Sequence, residues 1–193
     1  MIVTDLTHFL GLPEDAPAPV RRLAAHLTGI ARAASAGDAR VAWTSALPCR
    51  RRPARRPCQG RLVLLRPEPP APIRWQCSVC GDEGLISGWV GSPFDLRRRG
   101  LTLTRPVHEV VLPAEVTATL RELQLLDVDC ECVVYRIRLQ GEQAVMAATD
   151  DDLEELLGIV AAEANHEPNR LRQRRLDAAL DTLSDAALNA AGR

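Results

Sequence analysis

Along the first forty positions the apolar residues recur at helical period. Val20, Leu23, Ala24, Leu27, Ile30, Ala31 and Ala34 are spaced by threes and fours, one face of a helix. Pro13, Pro17 and Pro19 mark its approach, Gly37 its end, and Arg21, Arg22 and Arg32 its solvated side. The pattern then turns to short strands: Arg61-Leu-Val-Leu-Leu-Arg66, Ile73-Arg-Trp-Gln76 and Leu85-Ile-Ser-Gly-Trp-Val90, the first two joined through the turn Pro67-Glu-Pro-Pro-Ala-Pro72. Ser92-Pro-Phe-Asp-Leu-Arg-Arg-Arg-Gly100 carries the punctuation of a short helix. Ser92 is the N-cap, Pro93 is N1, Asp95 is N3 and Gly100 lies past the end, which brings Arg97, Arg98 and Arg99 to the negative end of the dipole.

From Val107 the pattern predicts a strand (107–112), a helix (113–124), a long strand (128–139) and a strand (143–148), with Gln140-Gly141-Glu142 as a hairpin turn. Two helices follow. Leu153, Leu156, Leu157, Val160 and Ala164 form a stripe behind Thr149-Asp-Asp-Asp152, acids suited to a positive helix start; Pro168 opens the second, with Leu176, Leu180, Leu183 and Ala187 at the same spacing.

Four cysteines interrupt these elements as C-x8-C-x18-C-x2-C-G: Cys49, Cys58, Cys77 and Cys80. Cys77-Ser-Val-Cys80-Gly81 has the tight spacing of a metal knuckle, and Gly81 can take the positive φ that the turn under a metal needs. The first pair is looser than the two- to four-residue spacing typical of structural zinc, but a hairpin or irregular loop can close it, and Pro53 and Pro57 disfavour a helix there. Four thiolates around zinc fill a tetrahedron and leave no position for substrate water, so the expected metal is structural zinc. Ligation of this kind supplies roughly 10–16 kcal/mol of apparent folding free energy, which a sheet this small needs.

Other uses of the cysteines fit less well. Disulfides need an oxidising compartment, and Met1-Ile-Val-Thr-Asp-Leu-Thr-His lacks a basic n-region and carries Asp5 and His8. A redox pair should open a helix, whereas Cys80 is followed by Gly-Asp-Glu-Gly. Spacing alone leaves iron open. Cys130 and Cys132 lie in the β-rich run 128–139, where i and i+2 share a strand face, and read as buried core cysteines without metal, with a second metal or redox role as the alternative.

The fold class expected is therefore α+β in three parts: an N-terminal helical segment (1–45), a small β zinc-ribbon-like module (46–100) and a C-terminal strand-helix-strand-strand-helix-helix domain (101–193), with the last boundary near 99–106. With 193 residues and 46% hydrophobic content the chain can build one core and a satellite, or two small domains. Its apolar runs are far short of the ~20 residues of a membrane span, so the expected setting is the cytoplasm, with no membrane partner.

The formal charge of −1 hides a dipolar layout. Residues 40–66 hold eight arginines and no acid, whereas 107–167 hold fourteen acids and three arginines. Every basic residue is arginine, a compositional bias that weakens arginine as evidence of a site. Even so, Arg50, Arg51, Arg52, Arg55 and Arg56 crowd between the first two cysteines and are the candidate partner-binding residues.

The run Leu47-Pro-Cys-Arg-Arg-Arg-Pro-Ala-Arg-Arg-Pro-Cys-Gln-Gly60, with Arg74-Trp-Gln-Cys-Ser-Val-Cys-Gly-Asp-Glu-Gly-Leu-Ile-Ser-Gly-Trp89 and Gly91-Ser-Pro-Phe-Asp-Leu96, resembles a group of uncharacterised bacterial proteins. The resemblance covers about a quarter of the chain. It implies a metal-bound module in a bacterial cytoplasm and brings no catalytic role.

Three classes of function meet these residues. The first expectation is a non-enzymatic protein-interaction or assembly module, with a protein partner or a second copy meeting the arginines; the acidic 107–167 segment is itself such a surface. The alternative is a nucleic-acid-binding zinc ribbon with a regulatory role, its arginines on phosphates and Trp75 or Trp89 stacking on bases. Against it, Trp75 alternates with Cys77 on a strand and both rings suit the core of so small a sheet. An enzyme is the least favoured. There is no H-x-E before P-C-x-x-C and no H-E-x-x-H, and Glu163-x-x-His166 has di-iron spacing but no mate.

Overall fold

The structure, a computed structural model, describes residues 1–13, 15–99 and 107–191. The chain divides into two compact units, Met1–Arg98 and Arg99–Arg193. It is a mixed α/β fold, with five α-helices and eight strands among the described residues.

In the first unit five strands run in the order β1-β5-β4-β3-β2: β1 (Ile2–Asp5), β2 (Ala42–Pro48), β3 (Arg61–Leu65), β4 (Ile73–Cys77) and β5 (Glu83–Ser87). All neighbours are antiparallel except β1, which lies parallel to β5. Helix α1 (Ala18–Ala36) belongs to this unit with the cysteine-bearing strands and buries Leu27, Ile30, Ala31 and Ala34, the stripe expected from the spacing. Strand alternation buries Leu62, Leu64, Ile73, Trp75 and Ile86. Gly37 ends α1 with an extended backbone, and its lack of a side chain admits Trp43, whose Nε1 lies 2.5 Å from where a Cβ would stand. Arg66 donates to the carbonyls of Ala34 and Gly37 at 3.2 and 2.9 Å, satisfying acceptors that the helix end leaves open. Strands β1 and β2 were not expected. Both are short, and β1 gains its partner from a segment eighty residues away.

The helix expected over 92–99 is instead a turn followed by a single 3-10 turn, Leu96–Arg99. Asp95 is the reason. Its carboxylate accepts from Gly91 N at 2.8 Å and Arg97 N at 3.2 Å, so amide donors are drawn to a side chain rather than into a helical ladder. Arg97 does not rest at a helix end; it forks onto Asp95 at 2.9 and 2.6 Å and lies over the Trp89 ring, 4.6 Å from its centroid. Gly100, the expected helix stop, lies outside the described residues.

The second unit holds a three-stranded antiparallel sheet ordered β7-β8-β6, from β6 (His108–Leu112), β7 (Arg138–Gln140) and β8 (Gln143–Ala148). Gly141, at φ +62°, turns the β7–β8 hairpin as expected. Four helices complete it: α2 (Ala114–Arg121), α3 (Val128–Tyr135), α4 (Asp150–His166) and α5 (Arg170–Ala191). Thr149 and Asp152 cap α4 reciprocally, and Asp150 and Asp151 stand in its first turn.

The long strand expected over 128–139 is a correction. Residues 128–135 are helix α3, and only 138–140 are strand. Asp127 caps α3 by accepting from Cys130 N at 2.7 Å, and Asp129 and Glu131 in the first turn complement its dipole. Cys130, Val133, Val134 and Ile137 are fully buried at helical spacing, so tertiary burial overrides the β-propensity of the valines. Cys130 and Cys132 therefore do not share a strand face, although both are buried. Among the described residues no helix is long and apolar enough to cross a membrane.

Candidate metal centre

Strand β2 delivers Cys49 just past its end, β4 ends on Cys77, and a loop carrying one 3-10 turn (Pro53–Arg55) returns Cys58 to the same place. The loop closes on itself through Cys49 N to Gly60 O and Cys58 N to Arg51 O, both 2.9 Å. The four Sγ atoms of Cys49, Cys58, Cys77 and Cys80 all lie within 4.8 Å of one another. Two edges, Cys49–Cys80 and Cys58–Cys77, measure 3.7 Å. A disulfide needs about 2.05 Å, whereas a regular tetrahedron with metal–sulfur bonds of about 2.3 Å has S···S edges of about 3.8 Å. All six cysteines are free thiols, and the set Cys49, Cys58, Cys77 and Cys80 is arranged as metal ligands.

The backbone is aimed at the sulfurs. Arg51 N donates to Cys49 Sγ at 3.4 Å, Gly60 N to Cys58 Sγ at 3.3 Å, and Val79 N and Cys80 N to Cys77 Sγ at 3.4 and 3.5 Å. Amides pointing at sulfur stabilise thiolate. Burial pushes the Cys77 thiol up, but the Cys80 and Val79 amides and the Cys80 and Cys49 thiols outweigh it and bring it to about 7. Burial dominates at Cys49, which with the Cys77 and Cys80 sulfurs beside it is pushed up to about 12. The Gly60 amide pulls Cys58 down, yet burial and the Cys77 and Cys80 sulfurs leave it raised. Four thiols this close cannot all ionise against one another; a divalent cation removes that conflict by taking the protons' place. The residues thus fit a metal of the zinc or iron type, closed to substrate.

Gly81 has φ +68°, the conformation expected under the knuckle. Gly60 went unanticipated. A Cβ there would stand 2.3 Å from Cys77 Sγ, so the backbone passes against the sulfur cluster. The signal was the Cys58-Gln-Gly60 triplet, which places an amide over its own cysteine as Cys77-Ser-Val79 does.

Arg50, Arg51, Arg52, Arg55 and Arg56 are all exposed. Arg51 Nε reaches Asp82 Oδ1 at 3.8 Å, the one ion pair that this loop makes among the described residues of its unit. Ala54 and Arg55 have φ of +50° and +64°, a tight reversal that fans the arginines outward. Trp75 and Trp89 are buried, 3% and 1% exposed, so neither ring is presented for stacking; Trp89 donates to Ala71 O at 3.2 Å.

The Glu163-x-x-His166 pair does not act as a ligand pair. Glu163 accepts from Gln124 N and Leu125 N and pairs with Arg172, while His166 Nδ1 lies 2.8 Å from Ala162 O. A second grouping joins Asp127, Cys130 and Glu155, whose ligand atoms lie within 4.8 Å of one another at the start of α3 and on α4. Hydrogen bonding to Asp127, more than its charge, holds the Glu155 carboxyl above the usual range, while Cys130 is raised by burial.

No protein-family model matches the chain, and no curated protein or solved structure matches it. The functional reading rests on the geometry.

Proposed function

We propose that this chain is a non-enzymatic interaction or assembly module built on a structural zinc centre, with a zinc-ribbon-like loop and knuckle holding an arginine-rich surface in shape. The observation that carries it is the closed set of four sulfurs, with two tetrahedral edges of 3.7 Å and backbone amides directed at three of the four. A complete sulfur shell leaves no open position for substrate water, which supports a structural rather than catalytic metal. The arginines between the first two ligands are exposed and tied to the centre by backbone bonds, so metal ligation orders the surface they form.

Nucleic-acid binding is the second reading, favoured by five outward arginines on one short loop. The burial of Trp75 and Trp89 removes the stacking platform that it would use.

Elemental analysis of purified protein tests the centre. One zinc per chain, lost together with stability in Cys77→Ser, is expected. Protein that folds without stoichiometric metal, or an iron-type visible absorption, refutes the zinc assignment.

A further inference from the structure

Between the arginine loop and the turn after Cys80 lies an open concavity of about 800 Å3, lined by Arg50, Arg51, Arg52, Cys80, Asp82 and Glu83. Its breadth suits a protein protrusion more than a small molecule. Its chemistry is mixed. Arg50, Arg51 and Arg52 line it together with Asp82 and Glu83, and Asp82 Oδ1 lies 3.8 Å from Arg51 Nε, so Arg51 is already paired within the wall. An occupant must therefore bring anions for Arg50 and Arg52, which make no ion pair among the described residues of their unit. A peptide segment rich in Asp and Glu brings carboxylates, and the fork geometry of arginine matches carboxylate.

The chain carries such a segment. Asp127, Asp129 and Glu155 are exposed where α3 begins beside α4, with carboxylate oxygens of Asp127 and Glu155 within 4.8 Å of each other. The 107–167 stretch that holds them has fourteen acids against three arginines, opposite in sign to the eight arginines and no acids of 40–66.

We propose that the Arg50–Arg52 concavity is a docking surface for the acidic α3–α4 corner of a second copy of this chain, giving a homodimer in which the contact is made twice. A two-fold arrangement uses both opposite charges of each copy and closes the assembly. The proposal rests on the structural-metal reading, because the metal-bound loop shapes the concavity.

The test is sedimentation velocity of the full zinc-loaded chain at about 50 mM and about 500 mM salt, with zinc measured on the same samples. A dimer at low salt that weakens at least tenfold at high salt is expected. Arg50→Glu with Arg52→Glu, on an exposed loop, and separately Asp129→Arg with Glu155→Arg, should each weaken it at least tenfold while keeping one zinc per chain. Mixing the two charge-reversed proteins should restore association. A zinc-loaded monomer at low salt overturns the docking and leaves the metal reading standing. A dimer without zinc refutes the metal reading and the claim that metal shapes the surface. A dimer indifferent to charge reversal, or a monomer that binds oligonucleotides through Arg50 and Arg52, overturns the docking.

Discussion

Gly60 leaves no room for a side chain beside Cys77: a Cβ on Gly60 would stand 2.3 Å from the Cys77 sulfur and 3.0 Å from Val79 Cβ. The Gly60 amide is meanwhile 3.3 Å from Cys58 Sγ, so one residue both approaches the cluster and donates to it. Gly60→Ala must displace either the loop or the knuckle. The expected outcome is a loss of metal affinity of about 10–100-fold, as for other outer-shell partners, read by competition with a chromogenic chelator. Gly81→Ala is the control. Nothing lies within 4 Å of its Cβ position, but φ is +68°, so it should keep the metal and cost about 1 kcal/mol of stability.

Asp95 and Arg97 should matter to the first unit as a pair. Asp95 is 7% exposed and takes two backbone amides as well as the Arg97 guanidinium. Burial raises its carboxyl, but the Arg97 and Gly91 bonds outweigh that and bring it from 3.8 to about 2. A depressed carboxyl contributes stability above the unfolded value, lost as pH falls through the folded one, here from 3.8 to about 2. At neutral pH the contribution is roughly 2 kcal/mol. Urea unfolding of Asp95→Asn should show a deficit of that size, constant from pH 5 to 8; a variant as stable as wild type would refute it.

What could be read in advance, and what could not, follows from the range of the forces involved. The α1 stripe, the β7–β8 turn, the acidic start of α4 and the Cys77–Gly81 knuckle are local patterns, and each stands where the spacing put it. The grouping of Cys49 and Cys58 with Cys77 and Cys80 was legible from cysteine chemistry, although the loop geometry was not. Residues 128–135 misled because Val, Cys and Tyr favour strands, while the deciding features, the Asp127 cap and burial of Cys130, Val133 and Val134, belong to the folded unit. Asp95 likewise carries the marks of a helix-starting acid but spends its acceptors on Gly91 and Arg97. Strand β1 has no local signature and is defined by its partner β5.

Glu163 is predicted to be structural. It holds the chain after α2 through the amides of Gln124 and Leu125 and meets Arg172 of α5 at 2.5 Å, with its side chain 5% exposed. Glu163→Ala leaves the Gln124 and Leu125 amides without their acceptor and takes one of two carboxylates from Arg172, which keeps Glu167, and should cost about 3 kcal/mol in chemical denaturation. Neither this change nor His166→Ala should alter metal content; metal loss in either would make the Glu163–His166 pair a ligand set after all.

The last prediction concerns His26, on α1, whose ring meets Trp75 edge-on with centroids 5.9 Å apart. Its Nε2 is buried without a hydrogen-bond partner, so the imidazole is held where its charged form is poorly solvated. Burial first, and the Arg50 charge second, bring it from 6.5 down to about 4, against a smaller opposing pull from Asp82. Histidine gains charge on protonation, so a depressed value means that the unfolded chain binds more protons than the folded one between 6.5 and about 4. Stability therefore falls as pH drops through that window, the slope being set by the proton difference, and is lower by roughly 3 kcal/mol once the window is crossed. The window lies above that of Asp95, so the two are separable. His26→Gln, which does not titrate, should flatten the wild-type slope between pH 6.5 and 4 when stability is followed by chemical denaturation, with metal content checked at each pH. If the variant loses stability across that range as steeply as wild type, the acid sensitivity belongs to the sulfur centre and not to His26.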